Sequence, residues 1–198
     1  MTVWWIKGPD MKPWKILSSR QTYKDKWLGV RTDTVELANG AVIPDFHIIE
    51  YKEWAAILAF TEDGELIVIR EYRHGCQSIT LGLPAGSAEE GETDYLSVAQ
   101  RELLEETGYE AAEWVKTGQA YSNWATQNNQ VHFFLAFGAK KVAEQNLDAT
   151  EEIEVLTMKY EDYLNFEGIT PNQCHHAAAL HYAERYFAKY PEKRPVSA

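Results

Sequence analysis

Two apolar runs constrain this chain more than any other feature. Trp54–Phe60 and Leu66–Ile69 are nearly unbroken in aliphatic and aromatic residues, and the turn Glu62-Asp63-Gly64 separates them. A strand with one wet face alternates apolar and polar residues, so a continuous run marks a strand covered on both faces. One helix is predicted over Asp94–Thr107, with Thr93 or Asp94 as its N-cap and Gly108 as its stop. A second is predicted over Gln173–Lys189, between Pro171 and Pro191. Shorter strands are expected at Trp114–Tyr121, Val131–Ala136 and Ile153–Met158, and a helical turn at Glu161–Asn165. Gly75, Gly82, Pro84, Gly86 and Gly91 punctuate what reads as one long loop. Strands alternating with a few helices indicate a mixed α/β sandwich of the α+β kind, not a doubly wound sheet.

Ahead of this core, residues 1–10 read as a loose arm. Trp14–Ser18 and Leu28–Leu37 have strand character, and Asn39-Gly40 is a strong hairpin signal because both residues tolerate φ > 0. The return strand is Ala41–Tyr51, with Pro44 at an edge or a bulge. The expected division is therefore 1–52, an arm with a small antiparallel β lobe, and 53–198, the larger domain. A chain of 198 residues buries roughly 70% of its unfolded surface and needs no disulfides. Its two isolated cysteines, Cys76 and Cys174, fit a reducing, cytoplasmic setting. No signal peptide is legible, and no apolar run is long enough to span a bilayer. The net charge of −11 argues against a nucleic-acid or anionic-membrane partner, since both require a basic face.

The chemistry concentrates between Ser87 and Glu110, where eight carboxylates accompany one base, Arg101. Glu102, Glu105 and Glu106 stand at i, i+3 and i+4, so they share one face of the predicted helix. Like charges at that spacing repel unless a cation offsets them. Three carboxylates on a rigid helix facing a glycine-rich loop suit Mg2+ or Mn2+, hard ions that take oxygen ligands and leave positions for substrate phosphates. A solvated acidic face is the plain alternative. It leaves unexplained the Gly82–Pro84–Gly86 loop and the single Arg101 inside the acidic stretch.

The segment resembles the signature of the Nudix hydrolases. That pattern is Gly, five residues, Glu, seven residues, Arg-Glu, an aliphatic residue, any residue, Glu-Glu, any residue, Gly and an apolar residue. Here Gly86 and Glu92 open it, and Arg101-Glu102-Leu103-Leu104-Glu105-Glu106-Thr107-Gly108-Tyr109 completes it intact. Chance would supply the five fixed residues of that last part in about one chain in several thousand, at ~1/15 per position. Eight residues, not seven, separate Glu92 from Arg101, and the extra one falls between Glu92 and Leu96. The resemblance implies a Nudix-type α/β/α sandwich with a small N-terminal antiparallel β lobe. It also implies divalent ions held by Glu102 and Glu106, Glu105 ligating directly or through water, and the carbonyl of Ala85 as a backbone ligand. Arg101 would hold Glu92 or a neighbouring carboxylate in place. The implied reaction is hydrolysis of a diphosphate linked to another moiety.

Leu83-Pro84-Ala85-Gly86, the strand end Glu71-Tyr72-Arg73 and the N-terminal lobe extend the likeness over about residues 14–185, to the ADP-ribose and nucleotide-sugar pyrophosphatase branch. That branch implies a homodimer whose lobes exchange, with aromatic residues stacking on the base. Trp27 and Trp54 are the candidates, with core or interface packing as the alternative for each. Arg73 is a candidate phosphate clamp or, alternatively, a surface ion pair with Glu71. Asn129 stands where relatives carry a Glu, so a general base has to come from Glu151 or Glu152, which could equally be solvated loop residues. Gln127, Asn128 and Asn129 are candidates for reading a base edge or sugar hydroxyls. His132 reads as a satisfied core histidine, and His175, His176 and His181 as structural, because i and i+5 do not share a helix face. The leading expectation is a Mg2+-dependent pyrophosphatase of ADP-ribose or another nucleoside diphosphate sugar. The alternatives are another Nudix substrate (GDP-mannose, a dinucleoside polyphosphate, NADH) and a non-catalytic nucleotide-sugar sensor.

Overall fold

The computed structural model of the chain describes residues 12–165 and 173–196. The expected N-terminal arm and Pro171 lie outside the described residues. The chain divides into two units, Met1–Tyr51 with Asn123–Asn128 and Lys52–Ser122 with Asn129–Ala198.

The first unit holds a three-stranded antiparallel sheet in the order β1 (Lys15–Lys24), β2 (Gly29–Glu36), β3 (Val42–Glu50). Its turn forms at Asn39-Gly40, where Gly40 takes φ 83° and the Leu37 amide donates to the Ala41 carbonyl at 2.8 Å. The ladder slips opposite Pro44, passing from the pair Asp33–Phe46 to Val35–Ile43. A proline has no N–H for the ladder, so a bulge forms there, and the Thr34 hydroxyl donates to the Pro44 carbonyl at 2.9 Å. Asn123–Asn128 joins this unit through a parallel bridge between Ile49 and Gln127.

The second unit is an eight-stranded mixed sheet. Its strands are β4 (Trp54–Thr61), β5 (Leu66–Arg73), β6 (Ser78–Gly82), β7 (Ala85–Ser87), β8 (Tyr109–Glu110), β9 (Glu113–Tyr121), β10 (Gln130–Lys141) and β11 (Ile153–Met158). The main path runs β11-β5-β4-β10-β8, with β6 on β5, β7 on β4 and β9 on β10. Only the central β4–β10 pairing is parallel among these. The helices are α1 (Tyr95–Thr107), α2 (Tyr160–Leu164) and α3 (Cys174–Lys189).

The apolar runs sort by the period of two that a strand imposes. Ala56, Leu58 and Phe60 of β4 point into one core layer with Ala179, Ala183 and Phe187 of α3. Ala55, Ile57 and Ala59 point into the opposite layer with Val98, Ala99 and Leu103 of α1. The mixed sandwich expected from the sequence is thus the fold of the second unit, and the antiparallel three-stranded sheet is that of the first. One expectation is corrected: the stretch read as a long loop contains β6 and β7. Their partners are β5 and β4, and a glycine-rich segment gives no local sign of a pairing that a distant strand completes.

Candidate active site

Helix α1 is fixed at both termini by local chemistry. Asp94, not Thr93, is the N-cap; it accepts from the Leu96 amide at 3.1 Å and the Ser97 hydroxyl at 2.8 Å. Gly108 ends the helix in the left-handed region at φ 75°, donating to the Leu104 carbonyl at 2.8 Å. This frame sets where the three glutamates point. Glu106 is 5% exposed and accepts from the Ala85 amide at 2.9 Å. Glu102 presses on Gly86, where an added Cβ would lie 1.9 Å from its carboxyl carbon. Only glycine leaves room for that carboxylate.

Arg101 organises the rest. One terminal nitrogen donates to Glu102 at 2.9 Å and to Glu105 at 3.0 Å. The other donates to the Ser87 carbonyl at 3.2 Å and to Glu92 at 3.3 Å. Glu92 also accepts from the Glu89 amide at 2.6 Å. The extra residue before Leu96 is therefore absorbed without parting Glu92 from Arg101. The Nε of Arg101 is buried with no partner.

The electrostatics are those of crowded, desolvated carboxylates. Burial pushes Glu106 well above the usual carboxylate range, and the charge of Glu102 adds to it. Burial pushes Glu102 up to about 7, against the pull of Arg101 and with help from Glu105 and Glu151. Glu71, on β5, is also raised, by burial first and then by Glu151, while Arg73 opposes. Against its own burial, Glu102 and Glu105 push Arg101 up. A hard divalent cation suits this donor set, because it removes the cost of ionising buried carboxylates and takes oxygen ligands. Among the described residues no three acidic, His or Cys side chains already surround a cation position, since Arg101 engages Glu102 and Glu105. The donors fit; their final arrangement requires the Arg101 contacts to shift.

The remaining expectations divide. Glu151 lies close enough to raise both Glu71 and Glu102. Glu152 is exposed and takes no part in those shifts. Arg73 forms the ion pair with Glu71 that was its alternative reading, at 2.6 Å. Trp54 is half-buried, packs on the α3 core layer and faces the His175 ring at 5.9 Å. Trp27 is 66% exposed, with Lys26 over its ring at 4.4 Å. Gln127 is half-buried beside Ile49 in the first unit. Asn129 is buried, bonded to Ser122 at 3.1 Å, with its Oδ1 unpaired. His176 is buried and pushed down to about 3 by burial and then by His175 and Arg73, which fits a structural residue.

Glu71 beside the carboxylates is beyond the sequence reading, which offers it only as a partner for Arg73; the period of two that puts Glu71 and Arg73 on one strand face is the available signal. His132 is a satisfied core histidine as expected. Its partners Glu53 and Lys116 lie far from it in sequence, and no spacing rule identifies them.

Comparison with known proteins adds the following. Residues 51–188 match the NUDIX domain, and residues 14–49 match the nucleoside diphosphate sugar hydrolase N-terminal domain. The chain is 32% identical over 151 residues to an ADP-ribose pyrophosphatase of Bacillus subtilis, covering 76% of this chain and 80% of the relative. It is 28% identical over 155 residues to a methanol dehydrogenase activator of Bacillus methanolicus, covering 77% and 82%. A solved structure described as an ADP compounds hydrolase superposes with a TM-score of 0.78 at 21% identity, over 94% of this chain and 100% of that one. At that identity the likeness speaks for the fold.

Proposed function

We propose a substrate and a division of labour for this chain, which belongs to the NUDIX family and is a pyrophosphohydrolase. The substrate is ADP-ribose or another nucleoside diphosphate sugar, and the products are a nucleoside monophosphate and a sugar phosphate. The observation that carries the reading is the convergence of Glu102 and Glu106 on Ala85 and Gly86: two desolvated carboxylates face a short strand on which only glycine leaves room for Glu102. The match of residues 14–49 to the nucleoside diphosphate sugar hydrolase N-terminal domain supports the substrate class.

Family members generally use a divalent metal, and we take it to be Mg2+. Glu102, Glu105, Glu106 and the Ala85 carbonyl would hold it. When bound, the cation neutralises phosphate oxygens and lowers the pKa of the attacking water. Arg101, braced by Glu92 and Ser87, keeps Glu102 and Glu105 oriented. Glu151 takes the proton of the water as it attacks one phosphorus and the P–O–P bond breaks; its proximity to Glu71 and Glu102 favours it over Glu152. Arg73 exchanges its ion pair with Glu71 for a substrate phosphate. Trp27, exposed on the first unit, offers a face to the base. The assembly is a homodimer through that unit, whose β1 is exposed along its whole length. The setting is cytoplasmic, as two free, exposed cysteines suggest. Among the described residues no helix is long and apolar enough to cross a membrane.

The test is a screen of ADP-ribose, GDP-mannose, NADH and a dinucleoside polyphosphate, with and without Mg2+, in which an added phosphomonoesterase frees orthophosphate from the monoester products and leaves the intact diphosphates alone. Product from ADP-ribose that requires Mg2+ is expected. NADH enters because of the relative that activates a dehydrogenase. Tight binding without turnover of any of them would turn the reading to a sensor.

A further inference from the structure

One buried polar cluster lies outside the carboxylates already assigned. His132 of β10 is 3% exposed. Its Nε2 lies 2.5 Å from the carboxylate of Glu53, the residue just before β4, and its Nδ1 lies 3.0 Å from the Lys116 ammonium of β9. Lys116 also donates to Gln119 at 3.0 Å. An ammonium only donates, so Nδ1 must accept, and Nε2 carries the hydrogen given to Glu53. The geometry thus fixes one neutral tautomer. Tyr95, the first residue of α1, lies flat on the imidazole, with ring centroids 3.7 Å apart and planes 10° apart. Three side chains, from β9, α1 and the residue before β4, meet at one imidazole of β10.

Such a network is costly in a core and specifies geometry when every member is satisfied. Two of its members reach the candidate active site. The Glu53 carbonyl accepts from the Ala88 amide at 2.9 Å, and the next residue, Trp54, pairs with Ser87, whose carbonyl holds Arg101. Tyr95 opens the helix whose Glu106 is tied to Ala85, eleven residues or about 16 Å away. Helix α1 is therefore anchored at both ends, and Glu53 joins the N-terminal anchor to the Gly86–Ala88 segment. Tyr95 also lies in the stretch where the extra residue enters.

We propose that Glu53, His132, Lys116 and Tyr95 are positioning residues that set the tilt of α1 against the Gly86–Ala88 segment, and through it the placement of Glu102, Glu105 and Glu106. The inference rests on α1 being the catalytic helix. Its consequence is a defect in turnover, not in substrate capture. Outer partners that orient ligating groups are worth roughly 10–100-fold in activity.

The experiment compares His132→Leu and Tyr95→Ala with the conservative His132→Gln and Tyr95→Phe, and with Phe187→Leu in the opposite core layer as a stability control. Steady-state kinetics with Mg2+ and hydrogen exchange without metal are measured on each. His132→Leu and Tyr95→Ala should lower kcat by about 10–100-fold with KM within about twofold. They should also speed exchange at the Ala88, Val98 and Ala99 amides, and the conservative pair should recover most of both. Unchanged exchange at those amides in His132→Leu and Tyr95→Ala would overturn the proposal. So would a Phe187→Leu protein of equal stability loss showing the same kcat and exchange changes. A wild-type chain that cleaves no nucleotide sugar would sink the functional reading, and the exchange pattern would still decide the network.

Discussion

Glu106 shows how one residue's environment sets its role. Its carboxylate is buried, bonded to one amide and crowded by Glu102, so it holds its proton well above the usual range. Glu102 does so to about 7 against a usual 4.5. In the metal-free protein both groups bind more protons folded than unfolded above that usual value. Their contribution is therefore fully present below pH 4.5 and is lost as pH rises through the folded values. Thermal melts without metal should show stability falling between about pH 5 and 8, and added Mg2+ should remove most of that slope. Glu106→Gln keeps an acceptor for Ala85 and deletes the charge. It should flatten the metal-free slope while lowering kcat by about 100-fold, checked by melting and by the phosphomonoesterase-coupled product assay on one preparation. Gly86→Ala separates packing from chemistry. Its Cβ would meet the Glu102 carboxyl, the far end of a flexible side chain, so the carboxylate swings away and the fold yields little. Expected is a fall in activity far exceeding the change in melting temperature. An active Gly86→Ala enzyme would remove Glu102 from the site.

Among the elements, α1 and α3 illustrate two kinds of terminus. Gly108 closes α1 in the left-handed region, and a Cβ there would sit 2.2 Å from the Ala143 carbonyl oxygen. Backbone, unlike a side-chain tip, cannot step aside. Gly108→Ala should cost roughly 2–4 kcal/mol, measured by denaturant unfolding, from left-handed strain plus overpacking. Helix α3 is held by His176, whose ring fills the space over Gly82 of β6. Its pKa is about 3, so the native state refuses a proton that the unfolded chain accepts near 6.5. Stability is present above 6.5 and lost as pH falls towards 3, opposite in sign to the carboxylates. Wild-type unfolding midpoints should drop on acidification below pH 6, and less in His176→Asn. The strands and caps of these elements were mostly legible because their signals are local: Asp94, Gly108 and Asn39-Gly40 each act on their own backbone. β6 and β7 were not, because Gly82–Gly86 becomes strand only through β5 and β4.

Across the whole molecule, the first unit leaves Ile16, Leu17 and Tyr23 of β1 exposed, and Trp14 just before it. Clustered apolar exposure of that kind on a small sheet marks a protein contact. Light scattering should give a dimer, and Ile16→Glu should shift it towards monomer; a monomeric wild-type chain would defeat the proposed assembly. What the sequence determined alone was the sandwich, through two unbroken apolar runs, and the acidic helix, through Arg101, Glu102, Glu105 and Glu106. Those features follow from periodicity along one element, which a linear chain displays. Tertiary structure alone decided which residues meet across elements. It turned Arg73 to Glu71, buried Asn129, packed Trp54 against α3, set Glu151 apart from Glu152 and joined Glu53 to His132 and Lys116. Burial and long-range charge fix such encounters, and neither is written in the spacing of residues along the chain.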